Sequence, residues 1–217
     1  MNKTPLFVAL ALAASSLVAC GGETPLPAAP IGTTPVPTTA AVAAVNGTFA
    51  ITAQNSKVEW TGSKSSGHHD GGFSAFKGSI TVPGAIEQGK VTVEIDTSSI
   101  SINDPALGPM AEKLAGHLKS ADFFDIAKFP KATFTSTAIK AGGDNGAAYT
   151  VTGTLDFHGA QKTITFPASI SASAAKVDAT ATFNINRKDF GLVYPGKPDD
   201  LIKDDVQVRL TIHADQQ

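Results

Sequence analysis

The chain has 217 residues, with 17 Lys and Arg against 19 Asp and Glu, a formal net charge of -2 at neutral pH, and one cysteine. Near-balanced charge without a basic cluster argues against nucleic acid as a partner, and a lone cysteine excludes an intramolecular disulfide, so the fold is to be held by its core. Twelve Phe stand against two Tyr and one Trp, and rings without a polar tip call for a dry environment.

In chain order, residues 1–19 read as an export signal, with Lys3 ahead of an apolar run from Leu6 to Ala19 that is too short to span a bilayer comfortably. Leu17, Val18, Ala19 and Cys20 close that run, and this ending resembles the lipobox of bacterial lipoproteins. The resemblance implies a chain cut before Cys20, acylated there and anchored to the membrane. Gly21 after the cysteine implies sorting to the outer membrane, facing the periplasm. The alternative is an ordinary signal cleaved nearby, leaving a free thiol that an exported protein would rarely keep. Residues 20–46, rich in Pro, Thr and Ala, read either as a disordered terminus or as a tether reaching up to about 80 Å at roughly 3.1 Å per residue.

From Phe49 the dominant signal is strand-like alternation. It runs through Val58, Trp60 and Gly62, then Phe76, Gly78, Ile80 and Val82, then Val91, Val93 and Ile95. After the middle of the chain it resumes in Tyr149 to Phe157, Ile164 to Ile170, Val177 to Ile185 and Val206 to Ile212, with "KATFTSTAIK" a less regular member. Between these runs "SSGHHDGG", "PGAIEQG", "AGGDNGAA" and "HGAQ" carry turn chemistry. Short connections force antiparallel neighbours, so the expectation is a meander of about eight strands that closes on itself. Pro167, inside a strand run, predicts a bulge or an unpaired stretch.

Two longer interruptions remain. Thr97 to Pro130 contains Met110, Leu114 and Leu118 at helical spacing, which predicts a helix across one opening; "RKDFGLVYPGKPDDLIKD" reads as a loop, with Arg187 and Asp189 expected to form an ion pair that ties it to the barrel. A barrel of this size is either filled by its own side chains or hollow enough for one elongated ligand. Gly62, Gly78, Gly153, Ala168, Ala179 and Ala181 at inward positions leave volume, and the pattern alone supports both readings equally.

Four motifs, "FSAFKGSI", "HLKSADFFDIAKFPKATFTST", "YTVTGTLDFHGAQKTITF" and "INRKDFG", followed by "DDVQVRLTI", together resemble the YceI family from about Phe49 to Ala214. That resemblance implies an all-β fold, an eight-stranded antiparallel lipocalin-like barrel with one helix-containing crossover, over residues 47–217. It implies non-catalytic binding of an isoprenoid or similar amphiphilic lipid in an apolar cavity, with no cofactor. The cavity-lining candidates are Trp60, Phe73, Phe76, Ile80, Val93, Phe123, Phe124, Phe134, Val151, Leu155, Phe157, Phe166 and Phe183. Phe129 is expected to pin the crossover to the barrel rim. Here "KSSGHHDGGF" is more compact than the corresponding family segment. A structural or stress-related envelope lipoprotein with a filled barrel is the second reading, and a homodimer is left open.

Rival chemistry finds little support. His68, His69 and Asp70, with His117, suggest a metal-dependent enzyme only remotely, because neighbours in extended chain point to opposite sides and the flanking glycines favour a solvated turn. His158 and His213 are expected on exposed strand faces. No nucleophile elbow or Ser, His and acid trio is recognisable, so no catalytic or metal-binding residue is expected.

Overall fold

The computed structural model describes residues 44–217; the export signal, Cys20 and the linker up to residue 43 lie outside the described residues. Twelve strand segments and one α-helix follow in the order β1 (Val45–Thr52), β2 (Lys57–Lys64), β3 (Gly67–Phe73), β4 (Phe76–Gly84), β5 (Lys90–Asp96), β6 (Ile100–Ile102), α1 (Met110–Lys119), β7 (Lys131–Ala141), β8 (Tyr149–Phe157), β9 (Ala160–Ala172), β10 (Lys176–Asn186), β11 (Gly196–Lys197) and β12 (Asp200–Gln216). β1 begins at Val45, so Val45 and Asn46 belong to the barrel and not to the linker.

These segments make eight wall strands. The long β12 pairs with β1 near its end (Ile51↔Ala214) and with β2 further along (Lys57↔Thr211), so β1 and β2 are two lengths of one strand. In the same way β3 continues into β4 and β5 into β6, because β2 pairs with β3, β1 with β4, β4 with β5 and β3 with β6, all antiparallel. The order β1-β4-β5-β7-β8-β9-β10-β12 returns to β1, and the result is a closed antiparallel barrel whose ladder is interrupted along part of the β9–β10 pair.

One end, called here the upper end, carries the β2–β3 turn, the crossover between β6 and β7 with α1, the His158–Gly159 turn and the loop 187–199. The opposite end, the base, carries the start of β1, the β4–β5 connection, the β7–β8 and β9–β10 turns and the C-terminus. α1 forms where the apolar spacing predicts it. Leu118 is buried, Glu112 stands in its first turn and His117 and Lys119 in its last, each matching the helix dipole. Met110, at the start of that apolar row, overhangs the rim and is exposed.

Three departures from the alternating pattern have local causes. "KATFTSTAIK" loses its regularity because β7 slips register against β8 between Ser136 and Ala138; inward positions change from Ala132, Phe134 and Ser136 to Ile139. Pro167 makes no bulge and pairs in register with Thr150. On its other side the β9–β10 ladder covers only Val177↔Ala172 to Ala181↔Ala168 and ends beside the proline, leaving an unpaired seam toward the upper end. Across that seam the rings of Phe166 and Phe183 stack at 4.3 Å.

The third departure overturns the turn expected at "SSGHHDGG". Only Ser65 and Ser66 turn; His68, His69 and Asp70 lie in β3, paired with Ser63, Gly62 and Thr61 of β2. The glycines that follow serve close packing instead. A Cβ at Gly71 would overlap both the Trp60 ring and the Ser101 carbonyl oxygen. Gly153 plays the same part for Phe134, whose ring occupies the place a Cβ would take, so the volume this glycine leaves is filled by an aromatic neighbour.

The core is continuous from base to upper end. Phe49, Ile51 and Val177 are almost wholly buried in the lower part, and Phe123, Phe190 and Leu192 are buried in the upper part. Each such side chain contributes about 1.5–3 kcal/mol by burial. Since every core cluster lies between Val45 and Ala214 and the closing ladder pairs Phe49 to Ile51 with Ala214 to Gln216, residues 44–217 form a self-contained folding unit.

Candidate functional site

Inside the barrel lies a cavity of ≈ 500 Å³, within the range of small-molecule sites. The interior is therefore hollow, which separates the two readings that the alternating pattern alone left equal. From the middle of the barrel down to the base the lining is apolar: Ile51, Ile80, Val82, Val91, Ile139 and Val177 surround it, and Ile86 with Gly89 of the β4–β5 connection closes the bottom. Nearly every polar lining side chain is at the upper end, where Ser63, Lys64, His69, His117, Arg187, Tyr194, Lys197 and Asp200 meet. The cavity is amphiphilic along its length.

Alternation places most of the sequence candidates. Trp60, Ile80, Val93, Phe134, Val151, Leu155, Phe157, Phe166 and Phe183 line the cavity from the wall strands, and Phe73 does so from the end of β3. Phe123 and Phe124 reach it from the crossover: Phe124 packs at 5.3 Å from Phe157 and edge-on to Phe73, and Phe123 packs against His117 and Tyr194. Phe76 is the exception. At the bend where β3 passes into β4 it joins the core cluster of Phe49, Ile51 and Val58 and does not face the cavity. Phe129 stands at 4.5 Å from His158, at the rim.

The ionic contacts at the upper end differ from those expected. Arg187 is buried and pairs with Asp204, not Asp189, because residues 187–190 form a 3-10 turn that leaves Asp189 exposed. Its guanidinium donates through Nε to Lys203 O at 3.0 Å, through Nη1 to Leu192 O at 2.5 Å and through Nη2 to Ile202 O at 3.2 Å. One side chain thus clamps both limbs of the loop. His158 is not exposed on a strand face; it occupies the left-handed turn (φ 52) and donates through Nδ1 to Phe190 O at 2.9 Å, fastening that loop to the β8–β9 turn. His213 does lie exposed, paired with Asp178 at 2.6 Å.

His69 Nδ1 lies 2.9 Å from Asp104 of the crossover, and Lys64 Nζ lies 2.5 Å from Asp200 at the start of β12. The His69 hydrogen bond holds the Asp104 carboxyl below the usual carboxylate range, helped by the Ala106 N–H. Lys64 does the same for Asp200, helped by the N–H and hydroxyl of Ser66. A lowered folded pKa contributes stability above the unfolded value of about 3.9, and that stability is lost as pH falls through the folded value. The urea midpoint is accordingly expected to drop as pH falls below about 5 and through the lowered folded values, with a shallower drop in Asp200→Asn; an unchanged slope in that variant would remove Asp200 from the account. Among the described residues no group of three or more His, Cys, Asp or Glu side chains is placed to hold a metal.

No local signal marks Lys64, His69, His117, Tyr194 and Asp200 as neighbours; barrel closure brings them together, as in the contact between Lys64 and Asp200. The chain is similar to a UPF0312 protein of Pseudomonas putida strain GB-1, 36% identical over 147 residues that cover 64% of this chain and 71% of the relative. In fold it is similar to BcnA of Burkholderia cenocepacia (TM-score 0.63, 24% identity, 75% of this chain and 98% of the other). It is likewise similar to a polyisoprenoid binding domain from Saccharophagus degradans (TM-score 0.60, 17% identity, 79% and 99%). The YceI-like domain model matches residues 49–214, nearly the whole barrel, and the chain belongs to that family.

Proposed function

We propose that the barrel binds, without chemical change, an isoprenoid or similar amphiphile, its tail toward the base and its polar head among Lys64, His69, Tyr194 and Asp200. The observation that carries this is the ≈ 500 Å³ cavity, apolar except at its upper end. The polyisoprenoid binding domain of Saccharophagus degradans, similar in fold, supports the same ligand class. An apolar cavity of roughly 150 Å³ accepts one benzene, so ≈ 500 Å³ suits about three such units, a tail on the order of fifteen to twenty carbons. Each buried methylene contributes about 0.8 kcal/mol against water but little against a bilayer, so exchange with membranes is close to balanced. In this reading the role is storage, transport or sequestration, no cofactor takes part, and acylation of Cys20 holds the protein at the outer membrane on its periplasmic side.

Native mass spectrometry of residues 44–217, prepared without detergent, tests the binding. The expected spectrum shows one lipid-sized adduct per chain, removed by organic extraction and replaced by farnesol. A barrel that stays bare after incubation with excess farnesol contradicts the reading.

A further inference from the structure

We propose that the upper end of the barrel is a membrane-docking face, with Met110, Val193 and Leu201 as the side chains that enter the bilayer. Among the described residues the exposed large hydrophobic side chains are these three, at 52%, 64% and 52% exposure. They are distant in sequence, yet each stands on an element that frames the opening. Met110 begins α1. Val193 lies between Leu192, buried in the cluster that includes Phe123, and Tyr194, whose ring packs on His117 of α1. Leu201 is at the start of β12, where its carbonyl accepts the Ser65 N–H of the β2–β3 turn. Single exposed apolar residues are ordinary on any protein surface. Three at the rim of one apolar cavity are not, and the apolar residues that the turns of the base expose are small ones, such as Ala85, Ala148 and Ala174.

A lipid bilayer is the partner this surface fits. The inference rests on the reading that the cavity holds an apolar chain, because such a chain avoids water during transfer only if the opening is pressed against hydrocarbon. The charges around the three residues cancel as well. Over Lys64, residues 103–119 and residues 187–205, seven Lys and Arg stand against seven Asp and Glu, with Lys188 Nζ 2.9 Å from Asp204 and Lys64 paired to Asp200. A surface without net charge has nothing to attract a strongly charged partner, whereas Tyr194 at the rim, apolar in body and polar at its tip, suits the lipid–water interface.

Flotation of residues 44–217 with phosphatidylcholine vesicles is the test, with the triple variant Met110→Ser, Val193→Ser, Leu201→Ser against the parent. Half-exposed side chains contribute about a fivefold change each on transfer, so the variant is expected to lose about a hundredfold in vesicle affinity. The matched variant Ala85→Ser, Ala148→Ser, Ala174→Ser at the base is expected to float like the parent. Binding is expected to survive about 0.5 M NaCl, where exposed charges are screened beyond a few ångström. Equal flotation of parent and triple variant, no flotation of the parent, or abolition by salt overturns the docking face. Titration with farnesol, followed by fluorescence of Trp60, the one tryptophan, is expected to be the same in parent and triple variant. If farnesol leaves Trp60 fluorescence unmoved in both, the cavity reading has failed, and the docking face falls with the reason for it.

Discussion

Ala179→Phe combined with Ala181→Phe is expected to lower farnesol affinity by at least about a hundredfold while leaving the barrel folded. Both alanines point from β10 into the cavity, at positions 179 and 181 of the same inward row as Val177 and Phe183. Two added rings take up about two of the three benzene-sized units of the cavity, and excluding even four ligand methylenes, at about 0.8 kcal/mol each, amounts to roughly 3 kcal/mol. Stability is expected to change by no more than about 1–3 kcal/mol, the range for overpacking, because the rings enter a void and not a filled site. Isothermal titration and urea denaturation on the same samples separate the two effects. Parent-like affinity in a properly folded double variant would place the ligand somewhere other than this cavity.

The second large effect is expected at Arg187. Replacing it with Met leaves the carbonyls of Leu192, Ile202 and Lys203 without their donor, while Asp204, partly exposed, keeps its pairing with Lys188. Leaving a buried carbonyl without its donor costs about 1–3 kcal/mol, so three together are expected to cost roughly 3–5 kcal/mol, read as a lower urea midpoint. Arg187→Lys is expected to recover little, because a single ammonium cannot reach three acceptors fixed in the geometry of a guanidinium fork. A lysine variant within about 0.5 kcal/mol of the parent would show that charge, and not the fork, holds the loop.

Much of the wall was legible because a one-sided strand writes its orientation at every second residue. Val177, Ala179, Ala181, Phe183 and Ile185 all line the cavity as their alternation predicts. The family resemblance, placed at about Phe49 to Ala214, covered the same span as the matched domain, 49–214. What alternation does not carry is the cause of an irregularity. The slip between Ser136 and Ala138 looks like a weak strand until the partner strand is known. Gly71 and Gly72 look like a turn, although Gly71 is required by Trp60 and by the Ser101 carbonyl oxygen across the ladder. Phe76 obeys the period and still leaves the cavity, because the wall bends at Ser74 and Ala75 immediately before it. Least legible was the polar end. Lys64 meets Asp200, His69 meets Asp104 and Arg187 meets Asp204 only once the barrel has closed, and nothing near any of these residues in the chain announces its partner.

The seam beside Pro167 bears on how firmly the girth of the cylinder is fixed. Hydrogen bonds act as hoops around most of the wall, but beyond Ala168 and Ala181 there are none between β9 and β10, and two stacked rings, Phe166 and Phe183, hold the margins together. Along that slit the diameter follows side-chain size and not the fixed spacing of a backbone ladder, so a thicker occupant can be accommodated there by ring displacement without breaking a single hoop.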